Sequence, residues 1–171
     1  MSRWRVSRGS AKRCYGLVRV TRASRWLIAS CSGEGGAALS RRNYGETVKN
    51  LNVNFPYQFA QNYQKFGDQV DQLPVDANEL LSLIAPRPLY LSTGSEDRWS
   101  DPKGEFLAAV AAGPVYELLG KEGLGTNQMP SADEPIMHSI GFHMHTGGHG
   151  ATPYDWQQYV KFMKLHFNVS Q

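Results

Sequence analysis

Two polar residues sit where an open α/β sheet does its chemistry. Asp97 follows the apolar run PLYLST and His149 follows IGFHMHT, each just beyond a segment that reads as a strand. In such sheets, ligands meet the loops past the carboxyl ends of the strands. A histidine placed there can take a proton from a hydroxyl nucleophile and pass it on, provided an acid fixes its tautomer and stabilises its charged form. Acid first and histidine second is the tail order of a Ser…Asp/Glu…His arrangement. The matching nucleophile is not legible, since no serine of the chain stands in a G-x-S-x-G turn. Spacing alone leaves open that Asp97 caps the next helix or pairs with Arg98, and that His149 is a turn residue.

His143 and His145 share one face of a strand and, with His149, could be taken for metal ligands. No acidic or cysteine partner stands at a recognisable spacing from them, so no metal is expected. Cys14 and Cys31 are too few for a disulfide framework.

The elements that would position Asp97 and His149 can be read in order. LIAS, from Leu27, is a short strand that stops at the small-residue loop CSGEGGAALS. Residues 41–73 carry aromatics at mixed spacing and predict short helices and loops. A helix in DANELLSLIA ends before Pro86. PLYLST then reads as a buried parallel strand, because its apolar residues run together rather than alternate with polar ones. Asp101 and Pro102 resemble an N-cap and first helical residue, opening a helix that Gly113 should close. VYELLG predicts a second short helix, and Lys121 to Pro135 a surface loop. The last helix has Thr152, Pro153 and Asp155 at its start and an apolar stripe of Trp156, Tyr159, Val160, Met163 and Phe167.

Composition bounds the class. The 171 residues, 41% hydrophobic and 11% aromatic, suit one soluble globular domain. No apolar run is long enough for a membrane span, and arginines stand where a signal peptide would need its apolar core. The net charge of +3 averages two unlike pieces: residues 1–26 hold eight Lys/Arg and no Asp/Glu, giving +8, and the remainder sums to −5. The first piece lacks helical or strand periodicity and its arginines form no face, which argues against a nucleic-acid-binding arm.

Three stretches, SGEGGAALSRRNYGETV, LPVDANELLSLIAPRPLYLSTGSEDRWSDPKGEFLAAVAAGPVYELLG and IGFHMHTGGHGATPYDW, resemble the glucuronoyl esterase family, especially its bacterial branch. The likeness runs over residues 27–167. It implies a partial α/β-hydrolase fold, a three-layer αβα arrangement on a mostly parallel sheet that lacks its N-terminal strands. It also implies a metal-free and cofactor-free serine esterase acting on esters of 4-O-methyl-glucuronic acid on xylan, with neither nucleic acid nor membrane as partner. On that resemblance His149 is the general base and Asp97 the acid. Some members carry the acid after the preceding strand, where this chain has Cys31, with Glu34 offset by three residues. Trp99 matches a tryptophan that packs on the uronate, and Arg41, Arg42 and Glu46 lie where relatives surround the sugar.

The family's nucleophile motif, of the form G-x-S-R-x-G-K, falls within residues 1–26. The nearest text there is VSRGSAK. Permitted codons read two bases out of step yield such a motif, so this segment is expected to be out of frame and the chain inactive and marginally stable. Two alternatives stand beside this reading: a non-catalytic carbohydrate-binding remnant, or another carbohydrate esterase such as an acetyl xylan esterase. Intact relatives are mostly secreted or periplasmic.

Overall fold

The structure, a computed structural model, describes residues 24–167. Ser7, Ser10, Cys14 and most of the basic segment lie outside them, as does the expected frame change. Among the described residues four strands form one sheet: β1 (Leu27–Ser30), β2 (Leu89–Gly94), β3 (Ile136–Met137) and β4 (Ile140–His145), in spatial order β1-β2-β4-β3. β1, β2 and β4 are parallel, with Leu27, Leu89 and Ile140 in register. β3 is a two-residue antiparallel strand on β4 that the sequence reading passes over. The outer edge of β1 pairs with no strand among the described residues.

Helices α1 (Val48–Asn54), α2 (Ala77–Ser82), α3 (Pro102–Leu118) and α4 (Pro153–Phe167) complete the fold, with short 3-10 turns filling residues 40–72. The sheet is covered on both sides, which is why β2 and β4 are buried at every position and read as continuous apolar runs. Leu27, Ala29, Leu89, Leu91, Ile140 and Phe142 pack against Leu81, Phe106, Ala109 and Tyr116 of α2 and α3. On the opposite face Tyr90 meets Tyr159 and Phe162 of α4. Each large side chain so buried contributes roughly 1.5–3 kcal/mol. The Tyr90 ring lies against Gly141, where a Cβ would stand 2.1 Å from its Cδ2. Both α1 and α2 begin with capping boxes, Thr47 with Asn50 and Asp76 with Glu79.

Three expectations are corrected. Helix α3 does not close at Gly113 but runs through Pro114 to Leu118 as one element. Pro114 forfeits a helical hydrogen bond, yet the turn beyond it is anchored by Tyr116, fully buried and donating its hydroxyl to the Arg87 carbonyl at 2.9 Å. The close approach to this stretch constrains Gly123 instead, since a Cβ on Gly123 would lie 2.7 Å from the Gly113 Cα, whereas a Cβ on Gly113 would meet nothing within 4 Å. Asp101 takes the N-cap position before Pro102 as expected, but its side chain caps no helical N–H. Its backbone is left-handed, at φ 52°, and its carboxylate is turned to Arg42 Nε at 2.7 Å.

The buried face of α4 is Asp155, Gln158, Tyr159 and Phe162, rotated from the expected stripe. Trp156 and Val160 are exposed. Burial of Asp155 decides this: the helix turns its capping carboxylate into the protein, and Phe162 follows on the same face.

Candidate active site

The two strand-end loops are joined through their backbones. Ser95 and Glu96 N–H groups donate to the carbonyls of His145 and Gly147 at 2.9 and 2.8 Å, and the Gly147 N–H returns a bond to Ser95 Oγ at 3.2 Å. Gly94 makes the approach possible, because a Cβ at that position would lie 2.1 Å from the Gly148 carbonyl oxygen.

Across this seam Asp97 Oδ2 and His149 Nδ1 stand 2.7 Å apart. Asp97 is almost fully buried, and its Oδ1 accepts from the Ser100 N–H at 3.2 Å. Burial pushes the Asp97 carboxyl up, but hydrogen bonds from Ser100 and His149 outweigh it and hold the group below its ordinary range. A carboxylate only accepts, so the proton sits on Nδ1 and the Nε2 lone pair is free to act as a base. The His149 side chain is 38% exposed, and Nε2 has no partner among the described residues.

Cys31, at the end of β1, completes a triangle, with one donor atom each from Cys31, Asp97 and His149 lying within 4.8 Å of the others. Its backbone is left-handed (φ 46°), and its sulfur accepts from the Gly150 N–H at 3.5 Å. Glu34 does not reach His149. It is buried and its Oε1 accepts from Ser40 Oγ, the Gly35 N–H and Tyr63 OH, while burial raises its carboxyl above the ordinary range.

The other candidates fall into two groups. Trp99, 42% exposed, stands beside Asp97, and its carbonyl accepts from the Glu46 N–H at 2.9 Å. Gly45 permits that contact, because a Cβ there would meet the Arg98 oxygen at 2.4 Å. Arg42 bonds Asp101 and stacks over Tyr44, while Glu46 is buried against the same loop. Arg41 turns away from this group: its guanidinium meets Asp76 and the Leu73 carbonyl.

Below the site lies a second histidine cluster whose acid the sequence reading missed. Asp155 Oδ1 accepts from His143 Nε2 at 2.6 Å and His145 Nδ1 at 3.0 Å, and its Oδ2 takes the Thr152 N–H and hydroxyl. Burial opposes the charge, but the hydrogen bonds from His143 and Thr152 hold the Asp155 carboxyl far below its usual range. His143 Nδ1 meets Tyr90 OH at 2.8 Å and His145 Nε2 donates to the Gly148 carbonyl at 2.9 Å. The Thr152/Asp155 spacing was the available signal, read only as a helix start.

A mostly parallel, two-faced sheet with an acid and a histidine on consecutive strand-end loops is the C-terminal architecture of the α/β-hydrolases. The profile described as "Glucuronyl esterase, fungi" matches residues 24–120, and the chain belongs to the glucuronoyl esterase family. Carbohydrate esterase MZ0003, from an unknown prokaryotic organism, is 44% identical over 81% of this chain and 32% of its own length. A 4-O-methyl-glucuronoyl methylesterase of Wolfiporia cocos is 36% identical over 36% of this chain and 15% of its own. The solved glucuronoyl esterase of Solibacter usitatus is 45% identical with a TM-score of 0.87, covering 92% of this chain and 40% of that one. The chain thus spans well under half the length of these relatives.

Proposed function

We propose that this chain carries the base and acid of a serine carboxylic-ester hydrolase acting on glucuronoyl esters, with His149 as general base and Asp97 orienting it. The observation that carries this reading is the 2.7 Å Asp97–His149 pair with the imidazole edge open to solvent. In such a pair the carboxylate fixes the tautomer, Nε2 removes the nucleophile's proton, and the imidazolium formed is held by the buried acid until the proton goes to the leaving alcohol. Trp99, Arg42 and Glu46 form the adjoining wall. A uronate has a carbohydrate face for the tryptophan and an ester oxygen for a cationic donor. The Wolfiporia relative is named for the methyl ester of 4-O-methyl-glucuronic acid, which supports that substrate class. No serine of the chain stands in a G-x-S-x-G sequence, so the chain on its own is proposed to be inactive.

The test is a chimera in which residues 24–167 replace the matching part of the Solibacter enzyme. It is expected to hydrolyse benzyl glucuronate, with Asp97→Asn lowering turnover by about 10⁴-fold and His149→Ala abolishing it. Turnover unaffected by His149→Ala would refute the assignment.

A sugar-binding reading without catalysis is favoured by the exposure of Trp99 alone. Titration calorimetry of the chain with glucuronoylated xylo-oligosaccharide tests it, and absence of heat would dispose of it.

A further inference from the structure

We propose that His145 is a positioning residue for His149, acting as a doubly protonated ring fixed between Asp155 and the Gly148 carbonyl. The inference rests on the reading of His149 as general base. Its first ground is the need for a restraint. His149 is flanked by Gly147, Gly148 and Gly150, with Gly147 and Gly150 at φ 127° and 122°. Glycine gives up more backbone freedom on ordering than any other residue. A base carried on such a loop keeps its place only if the surrounding structure holds the backbone.

Each backbone group of this loop is held by a different partner. Ser95 Oγ takes the Gly147 N–H, the Glu96 N–H takes the Gly147 carbonyl, and the Cys31 sulfur takes the Gly150 N–H. The Gly148 carbonyl belongs to the peptide bond that enters His149, and it accepts from His145 Nε2 at 2.9 Å. Gly94 closes in on the same oxygen, since a Cβ there would lie 2.1 Å from it. His145 therefore holds the peptide bond that carries the base.

The second ground is the state of the ring. His145 Nδ1 meets Asp155 Oδ1 at 3.0 Å while Nε2 meets the Gly148 carbonyl. A carboxylate and a carbonyl only accept, so both nitrogens carry protons and the ring is cationic. His143 differs. Its Nε2 donates to the same Asp155 oxygen, but its Nδ1 accepts from the hydroxyl of Tyr90, which burial keeps protonated, so that ring is neutral. One cation and one carboxylate thus balance in the interior, where His145 is 3% exposed and Asp155 not at all. Burial opposes the Asp155 charge, but the bonds from His143 and Thr152 and the charge of His145 hold its carboxyl low. Charge-assisted bonds are the stronger kind. The restraint runs from Thr152 and Asp155 at the start of α4, through His145, to the base, by a route that does not pass through Asp97.

The test is proton–nitrogen NMR of the full chain with isotopically labelled histidine rings, at about pH 8, where an unpaired histidine has lost its second proton. Sequential assignment identifies the His145 ring, which is expected to show both nitrogens protonated and a coupling across the hydrogen bond from Nε2–H to the Gly148 carbonyl. A neutral ring or an absent coupling overturns the proposal without any substitution. Positioning is read from exchange of the His149 Nδ1–H with water, which reports opening of the Asp97–His149 bond. His145→Gln should speed that exchange at least about tenfold, as expected for losing one charge-assisted hydrogen bond. His143→Gln removes an equally buried partner of Asp155 that does not touch the loop, and should leave the exchange unchanged. Equal acceleration in both variants would reduce the cluster to general support of the fold, and no acceleration in His145→Gln would mean that His149 is held without it; either result overturns the proposal. Hydrolysis is not the readout, so failure here leaves the base assignment to the chimera, and failure there leaves the restraint on the loop standing.

Discussion

Strand β4 and the loop that leaves it carry two histidine–aspartate clusters that differ in one respect. In the inner one, His143, His145 and Asp155 are buried and every ring nitrogen has a partner. In the outer one, His149 spends Nδ1 on Asp97 and keeps Nε2 toward solvent. Chemical type and strand-end position are nearly the same in both, so saturation of hydrogen bonds separates the group that holds the fold from the group that can move a proton.

The sharpest way to break this comparison is to remove the inner acid. Asp155→Ala should cost about 3–5 kcal/mol, because it leaves two buried imidazoles and the Thr152 N–H without their acceptor. Urea unfolding measures this, and a loss under about 1 kcal/mol would mean that the inner cluster is not structural.

Acidification tests both acids together. The folded Asp155 and Asp97 carboxyls lie below their ordinary values, so their stabilisation is fully present above about pH 4 and is lost as pH falls through the folded values. Glu105 has the opposite sign. Burial raises it to about 8, so the folded state keeps a proton the unfolded chain gives up. Stability should therefore fall between its ordinary value and pH 8, at up to about 1.4 kcal/mol per pH unit. Glu105→Gln should flatten that decline in unfolding midpoints measured at pH 5 and pH 8; an unchanged slope would remove Glu105 as its source.

Gly94→Ala should cost about 1–3 kcal/mol by pressing a methyl into the Gly148 carbonyl. It should also separate Asp97 from His149, seen as loss of the hydrogen-bonded His149 Nδ1–H resonance in proton NMR. The smallest effect completes the comparison. His149→Gln should change stability by less than about 0.5 kcal/mol, and a cost rivalling that of Asp155→Ala would erase the distinction between the clusters.

The strands and the acid–histidine order were legible because they depend on local patterning: continuous apolar runs for a sheet covered on both faces, and polar residues just past their ends. Other features depend on partners distant in sequence. Arg41 reads as a free cation until Asp76 folds against it, and Glu34 as a spare acid until Ser40 and Tyr63 occupy it. Gly113–Pro114 looks like a helix end because the burial of Tyr116 that carries α3 onward is a tertiary fact. Asp155 was hidden by its own first role: a helix-start carboxylate accounts for the spacing before its histidines are considered.

The contact at Gly94 sets how this site can be altered. Because two backbones touch there, the spacing of the Asp97 and His149 loops is fixed by the main chain and not by any replaceable side chain. Residues 94–97 and 145–149 therefore behave as one casting: a designer grafting a nucleophile, or retuning the wall around Trp99, can treat them as a single transplantable module whose internal alignment travels with it.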